Sequence, residues 1–362
     1  LYAAGSAMME NTSLMLLVGF LILTGCTALV SVFLRKMGSK SVSPIKHQWQ
    51  LALINARRNR GRSLAVVALL ALGTFTIIIT GANRKTFSGS EYDRSSGTGG
   101  FQFWAETTVP ILQNLNTEEG REAQGLFEEE VFESTSVVQF LSRAGDDASC
   151  LNLNQVRQAR ILGVEAALFD SLGAFSFAKT LVETEEPWLE LENYAQNQVI
   201  PAIADQTVIQ WGLMKKVGDT LIYFDEAGKA LPLVLVGGLN ASIFQGNILI
   251  SKKAFRQHFP SAAGSSYMLI NGEPERMQEL KQLLTNDFSD YGIEMTEASV
   301  RLAAFYSVTN TYLSIFMILG ALGVLLGTLG LGIIIMRNML ERRKELLLLR
   351  SIGFRRKQIF HL

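Results

Sequence analysis

The sequence predicts a membrane protein, with α-helical transmembrane segments and a large α+β extracytoplasmic domain. Three observations predict it: three long windows without charge, basic residues gathered beside those windows, and a mixture of strand-like and helix-like runs in the long segment between two of them. The windows Ser13–Leu34, Ser63–Ala82 and Tyr312–Met336 hold 22, 20 and 25 residues with no Asp, Glu, Lys or Arg. A helix needs ~20 apolar residues to cross ~30 Å of hydrocarbon. The formal charge is zero and the mean hydropathy positive at 18% charged residues, so the averages hide this segregation.

The basic residues orient the chain. Between the first two windows lie Arg35, Lys36, Lys40, Lys46, Arg57, Arg58, Arg60 and Arg62, with no acid among them. After the third come Arg337, Arg342, Arg343, Lys344, Arg350, Arg355, Arg356 and Lys357, against only Glu341 and Glu345. The region 84–311 holds 17 basic and 30 acidic residues, a net charge of −13. Short basic loops stay in the cytoplasm, which places 84–311 outside. The expected order is an extracytoplasmic remnant over 1–12, a transmembrane helix over 13–34 and a basic cytoplasmic loop over 35–62. A transmembrane helix over 63–83, the extracytoplasmic domain over 84–301 and a stalk helix over 302–311 follow. The last two parts are a transmembrane helix over 312–336 and a cytoplasmic helix over 337–362.

Within the basic loop, Ile45, Trp49, Leu53 and Ala56 recur at near-helical spacing, flanked by Lys46, His47, Arg57 and Arg58. The pattern describes an amphipathic elbow helix on the membrane surface with Trp49 at headgroup level, Arg60 and Arg62 leading into the next span. A short loop with a snorkelling basic collar is the alternative. Such basic runs flank spans and give no reason to invoke nucleic acid.

Outside, Ser88–Gly100 is rich in Ser and Gly and reads as a loop. Ser136–Leu141 and Arg160–Val164 read as strands. Asp219–Phe224 and Leu231–Val236 form a hairpin about Asp225-Glu226-Ala227-Gly228. Asn247–Ile250 is a strand, followed by a helix over Lys252–His258 stopped by Pro260. Tyr267–Ile270, Pro274–Asp287 and Gly292–Met295 make a strand–helix–strand unit. Such mixed runs predict an α+β domain of two lobes.

From Leu302 to Met336 no side chain carries charge, 35 residues or about 52 Å of helix. Tyr306, Ser307, Thr309, Asn310 and Thr311 are polar enough for water, so the helix is expected to leave the membrane as a stalk. Gly320, Gly323, Gly327 and Gly330 share one helical face, and Gly323 with Gly327 forms a G-x-x-x-G pair. That stripe predicts a close-packing face, with no partner identified.

No G-x-x-x-x-G-K-[ST] occurs, so the chain is expected to bind no nucleotide itself. The three histidines are far apart, with no zinc spacing and no G-x-S-x-G turn. The cleavage-box look of Leu23-Thr24-Gly25-Cys26 is discounted, because no basic segment precedes it and the apolar run continues to Phe33. Cys26 lies within an expected span and Cys150 in the outer domain, so the two are not expected to pair and give no disulfide framework. The chain opens on Leu1 and stops just after a basic amphipathic stretch, which reads as a piece of a longer open reading frame.

Three segments carry a family likeness. Arg337-Asn338-Met339-Leu340-Glu341-Arg342-Arg343-Lys344-Glu345, continuing through Leu349-Arg350-Ser351-Ile352-Gly353-Phe354, resembles the cytoplasmic stretch of FtsX-like, MacB-type ABC transporter permeases. Asn55-Ala56-Arg57-Arg58-Asn59-Arg60-Gly61-Arg62 resembles the elbow before the first helix of their four-helix repeat. Gly99-Gly100-Phe101, Leu115 to Arg121 and Gln245 to Ser251 are similar to a large branch with two such repeats. The resemblance implies that the span over 13–34 ends a first repeat and that the rest begins a second. It implies a separate ATPase partner carrying ATP and Mg, no cofactor on this chain, and a bacterial plasma-membrane location.

It further implies mechanotransmission, in which ATP binding moves the outer domain for export or membrane extraction of a substrate. Expected neighbours are the lipid bilayer, a second permease copy or repeat, and a periplasmic adaptor or a hydrolase. Glu341, Arg342, Arg343, Glu345, Arg350, Gly353 and Phe354 are then the expected ATPase contact, a mixed-charge helix suited to charge-assisted docking. A helix resting on the inner leaflet is the alternative. A regulatory subunit controlling a cell-wall hydrolase and a membrane-anchored enzyme are the competing functions.

Overall fold

The structure is a computed structural model that describes residues 12–36, 60–84, 92–127, 132, 135–145, 158–195, 199–341, 343, 347 and 351. The chain divides into two compact units, one of residues Leu1–Lys85 with Thr309–Leu362 and one of residues Thr86–Val308.

Nearly all the described residues of the first unit are helical. The unit contains α1 (Thr12–Lys36), α2 (Arg60–Asn83) and the C-terminal part of a 44-residue helix, Ala298–Glu341, which becomes α7 in chain order. Their apolar side chains are largely exposed, Leu319, Leu322, Leu325 and Ile333 among them. Polar side chains in these helices turn back onto the helix itself. The Thr74 hydroxyl donates to the Leu70 carbonyl at 2.8 Å, Thr76 to Leu72 at 2.9 Å and Ser314 to Asn310 at 2.8 Å. Such bonds leave no hydroxyl seeking a partner in apolar surroundings. Residues Leu64–Asn83 and Ala298–Glu341 are long and apolar enough to cross a bilayer, while α1 carries a shorter apolar stretch, Leu17–Phe33.

The second unit is α+β. Its strands are β1 (Phe103–Ile111), β2 (Ser136–Arg143), β3 (Arg160–Val164), β4 (Phe177–Thr180) and β5 (Ile200–Asp205). β6 (Thr220–Phe224), β7 (Ala230–Leu239), β8 (Asn247–Ser251), β9 (Ser265–Asn271) and β10 (Glu294–Glu297) complete the set. Among the described residues, four short α-helices accompany them: α3 (Glu118–Glu122), α4 (Ala166–Ser171), α5 (Lys252–His258) and α6 (Met277–Asp287). All ten strands join one sheet in the order β10-β1-β9-β2-β3-β8-β5-β7-β4, with β6 beside β7.

The expected two lobes are therefore two halves of one sheet. β2 belongs to both: residues 136–140 pair with β9, and Leu141, Ser142 and Arg143 pair with β3.

Strand alternation sorts the core into layers. On one face, Phe103, Ala105, Met268 and Ile270 receive Met277, Leu280 and Leu284 of α6. On the same face of the other half, Ile161, Ala202, Leu233 and Ile248 receive Ala254 and Phe255 of α5. The opposite face presents Trp104, Phe140, Leu162, Leu249 and Leu269 to an aromatic cluster of Phe169, Phe175, Trp188 and Phe244. Local chemistry starts α5: the Ser251 hydroxyl caps it by accepting from the Ala254 N–H at 3.2 Å.

The expected strands and the hairpin about Gly228 are present, with ends moved by one to three residues. Helix α2 starts at Arg60 and contains the apolar stretch Leu64–Asn83. α6 starts at Met277 and β10 at Glu294, because Gly292 closes a 3₁₀ turn at φ +63 where a strand was expected to begin. Helix α7 starts at Ala298, four residues ahead of the stalk expected over 302–311.

Candidate functional site

Helix α7 carries the glycine stripe and Glu341, and its first turns are rooted in the α+β unit. At its start, within the α+β unit, Ala298, Leu302, Phe305 and Tyr306 are buried in the aromatic cluster. The Ala298 N–H donates to the Gln102 carbonyl at 2.8 Å, tying the first turn to the residue before β1. Arg301 then reaches across β1. Its guanidinium lies 4.4 Å from the Trp104 ring and 5.3 Å from the Phe305 ring, and its Nη1 donates to Glu106 Oε1 at 2.8 Å. The same carboxylate oxygen accepts from Trp104 Nε1 at 2.6 Å.

Of the Ser/Gly loop expected over Ser88–Gly100, the described residues 92–100 include Gly97, which packs on this root. A Cβ on Gly97 would lie 1.8 Å from the Ala241 carbonyl oxygen and 2.8 Å from Leu302 Cδ2, so only glycine fits. None of these contacts follows from a motif. The available signal was Arg301 itself, the last charge before 35 uncharged residues.

Within the helical unit, the glycine stripe of α7 faces α2. A Cβ on Gly320 would lie 3.0 Å from Ile77 Cγ1 and 3.1 Å from the Gly73 carbonyl oxygen. One on Gly327 would lie 2.8 Å from Leu70 Cδ2, whereas Gly323 and Gly330 have room, with nearest atoms at 3.7 Å on Gly73 and 3.9 Å on Val66. The facing residue missed from sequence is Gly73, where a Cβ would meet Val324 Cγ2 at 2.9 Å. Two glycines bring the backbones together.

At the end of α7, Arg337 Nε donates to Glu341 Oε1 at 2.9 Å, an exposed i,i+4 pair. Arg343 is exposed. Arg342, Glu345, Arg350, Gly353 and Phe354 lie outside the described residues, as do Trp49, Arg57 and Arg58 of the elbow. Arg60 and Arg62 fall in the first turn of α2. The structure therefore brings the four stripe glycines together with α2 and leaves the proposed ATPase contact represented by Glu341 and Arg343.

No group of three or more His, Cys, Asp or Glu gathers to hold a metal among the described residues. The buried carboxylate of the unit, Asp205, is occupied structurally. It accepts from the Thr207 N–H at 2.8 Å and from the Ser242 N–H and hydroxyl at 2.6 and 3.1 Å, joining the end of β5 to the loop before β8. Burial pushes its pKa above the ordinary value, against those hydrogen bonds.

No protein-family model and no curated protein matches the chain. Among solved structures it is similar to the periplasmic region of MacB from Actinobacillus actinomycetemcomitans, at 14% identity and a TM-score of 0.33, over 56% of this chain and 92% of that one. It is also similar to the extracellular domain of the ABC-type transporter YknZ from Gram-positive bacteria. That match has 11% identity and a TM-score of 0.28, over 54% of this chain and 98% of the other. At these values neither neighbour assigns the chain a family or an activity.

Proposed function

We propose that this chain is part of the membrane-embedded permease subunit of an ABC transporter. In that role it couples ATP hydrolysis on a separate ATPase to motion of the α+β unit on the far side of the membrane. The observation that carries the proposal is α7, a single helix of 44 residues and roughly 66 Å. One end is rooted in an aromatic core through Arg301, Leu302 and Phe305. The middle is charge-free for 35 residues, and the other end turns basic at Arg337. A helix transmits displacement along its axis because every backbone hydrogen bond is internal and side chains at a packed root have no room to slip.

The exposed apolar surfaces of α1, α2 and α7 support a lipid setting, since soluble proteins rarely leave such large apolar faces to water. The charge asymmetry supports the orientation: basic connectors inside, the net −13 region outside. The sequence likeness of the Arg337–Phe354 stretch to a permease coupling segment supports the ATPase partner.

The topology is tested by cysteine accessibility in a chain with Cys26 and Cys150 replaced by Ser. Gly228→Cys, in an open turn with no atom within 4 Å of a built Cβ, labels from outside in intact cells. Lys40→Cys and Lys46→Cys label only after permeabilisation. The reverse pattern overturns the orientation and the transport proposal with it.

A further inference from the structure

Where strands β1, β9, β2 and β3 lie side by side, the α+β unit holds a cavity of about 430 Å³. That volume is in the range of small-molecule sites. Its lining is rich in hydroxyls, those of Thr107, Thr108, Ser142, Ser266 and Tyr267, and none of them makes a hydrogen bond among the described residues. Thr107 is 8% exposed and its Oγ1 is shut off from water, a buried hydroxyl left without a partner. Such groups are rare in folded proteins, because each costs the free energy of a lost hydrogen bond. A Cβ on Gly292 would lie 2.8 Å from Thr108 Oγ1, so glycine at this position, with φ +63, leaves room beside that hydroxyl.

One cation in the wall is uncommitted. Arg160 is half-buried at the start of β3, and its guanidinium carbon lies 4.7 Å from the centroid of the Tyr267 ring. That contact uses the face of the guanidinium and leaves its in-plane N–H donors, which make no ion pair or hydrogen bond among the described residues. The Glu106 carboxylate, also in the wall, is already engaged by Arg301 and Trp104. The charges acting on the Tyr267 hydroxyl are therefore Arg160 and Arg301 against Glu106, two cations to one anion. Burial pushes the pKa of that hydroxyl above the ordinary value, so it keeps its proton and can donate. This local excess of positive charge lies within a region of net −13. Glu294, exposed on the rim, is the remaining acid of the lining.

We infer that this cavity is a binding site for a small hydroxylated carboxylate of the sugar-acid class. The carboxylate accepts from the in-plane donors of Arg160, a charge-assisted pair of the geometry arginine favours. The hydroxyls of the ligand exchange hydrogen bonds with Thr107, Thr108, Ser142 and Tyr267. Glu106 and Glu294 disfavour a second anionic group, which restricts the ligand to a monoanion. The inference uses only residues of the α+β unit and does not depend on the transport proposal.

The test is equilibrium dialysis of the full chain in phosphatidylcholine nanodiscs, with empty nanodiscs subtracted. Gluconate is the probe, with sorbitol, glucosamine and glucarate as its neutral, cationic and dianionic counterparts. The expected result is saturable binding of a single gluconate per chain, with the three counterparts bound more weakly. Arg160→Met keeps an apolar stem over Tyr267 but removes the donors, and weakens gluconate about tenfold or more. Tyr267→Phe keeps the ring packed and removes only the hydroxyl, and weakens it severalfold. A thermal melt of each variant shows that the fold is retained, and Tyr267→Phe carries the test if Arg160→Met does not fold. Absence of saturable gluconate binding, equal binding of sorbitol or glucarate, or full binding by either folded variant overturns the inference.

Discussion

Arg301 of α7 and Glu106 of β1 are 195 residues apart in sequence and 2.8 Å apart in space, with the Trp104 ring against the guanidinium and its indole N–H on the same carboxylate. The arginine side chain is 20% exposed and the carboxylate 34%, so the pair is only partly screened. Its planar guanidinium both stacks on Trp104 and donates sideways, a combination lysine cannot reproduce.

Arg301→Met is expected to lower the stability of the chain by ~1–3 kcal/mol, since it removes a charged hydrogen bond and a stacked cation together. Arg301→Lys should recover part of the loss, and Glu106→Gln should cost less than Arg301→Met because Gln still accepts from Trp104. Thermal unfolding of the full chain followed by Trp fluorescence ranks the three. Equal stability of the Lys and wild-type forms would show that charge alone matters at the root.

Packing of α7 on α2 is expected to depend on two of the stripe glycines and on Gly73. Gly320→Val and Gly73→Val place new carbons at or inside 3 Å of backbone and β-branched side chains, and overpacking of this kind costs ~1–3 kcal/mol. Gly323→Ala has room, and Gly332 has nothing within 4 Å of a built Cβ, so Gly323→Ala and Gly332→Val should be tolerated. Melting temperatures in nanodiscs separate the two groups. If all four variants behave alike, the close approach seen at Gly73 is not what holds the helices.

Asp205 gives a pH signature. Its carboxyl is raised above 3.8, burial outweighing the bonds from Ser242 and Thr207, so the folded chain holds this proton more tightly than the unfolded one. The stability it contributes is full below the unfolded value of about 4 and is lost as pH rises through the folded value. Asp205→Asn keeps an acceptor oxygen and cannot titrate. The stability of the wild type relative to this variant should therefore decline as pH is raised from about 4, then level off. Parallel melting profiles across that range would mean the carboxylate is ionised in place.

The parts of the fold legible in the sequence are those where local chemistry agrees with tertiary placement. The β6–β7 hairpin alternates cleanly about its Gly228 turn, and α5 lies between the Ser251 cap and Pro260. β5 was not legible. It is buried along its whole length, so no alternation shows, and it carries Pro201. The proline is tolerated because β8 pairs with β5 only at Ile203 and Ala204, which leaves position 201 bonded on the β7 side alone. β1 was hidden likewise by Pro110 and by an irregular register between Glu106 and Ile111.

The glycine stripe was visible as a face of α7, but Gly73 opposite it was not, because a single glycine in an apolar helix carries no pattern. Arg301, Glu106 and Gly97 owe their roles to contacts between distant segments, which spacing within a segment cannot announce.

The most direct test of the proposed coupling role lies at the end of α7. Glu341 pairs with Arg337 along the helix, a bond worth only ~0.3–0.5 kcal/mol to the helix itself. A docked carboxylate is worth far more, ~2–5 kcal/mol when its partner is left buried and unpaired. In the complete protein with the proposed ATPase partner, exchanging the two residues by Arg337→Glu with Glu341→Arg keeps an intrahelical pair and reverses the surface offered to that partner. Co-purification of the ATPase and its stimulated ATP hydrolysis are measured for the wild type, the exchanged form and a control reversal at exposed Glu226. The account predicts loss of one or both in the exchanged form, with membrane insertion intact and the control unaffected. Full assembly and full stimulation in the exchanged form would contradict it.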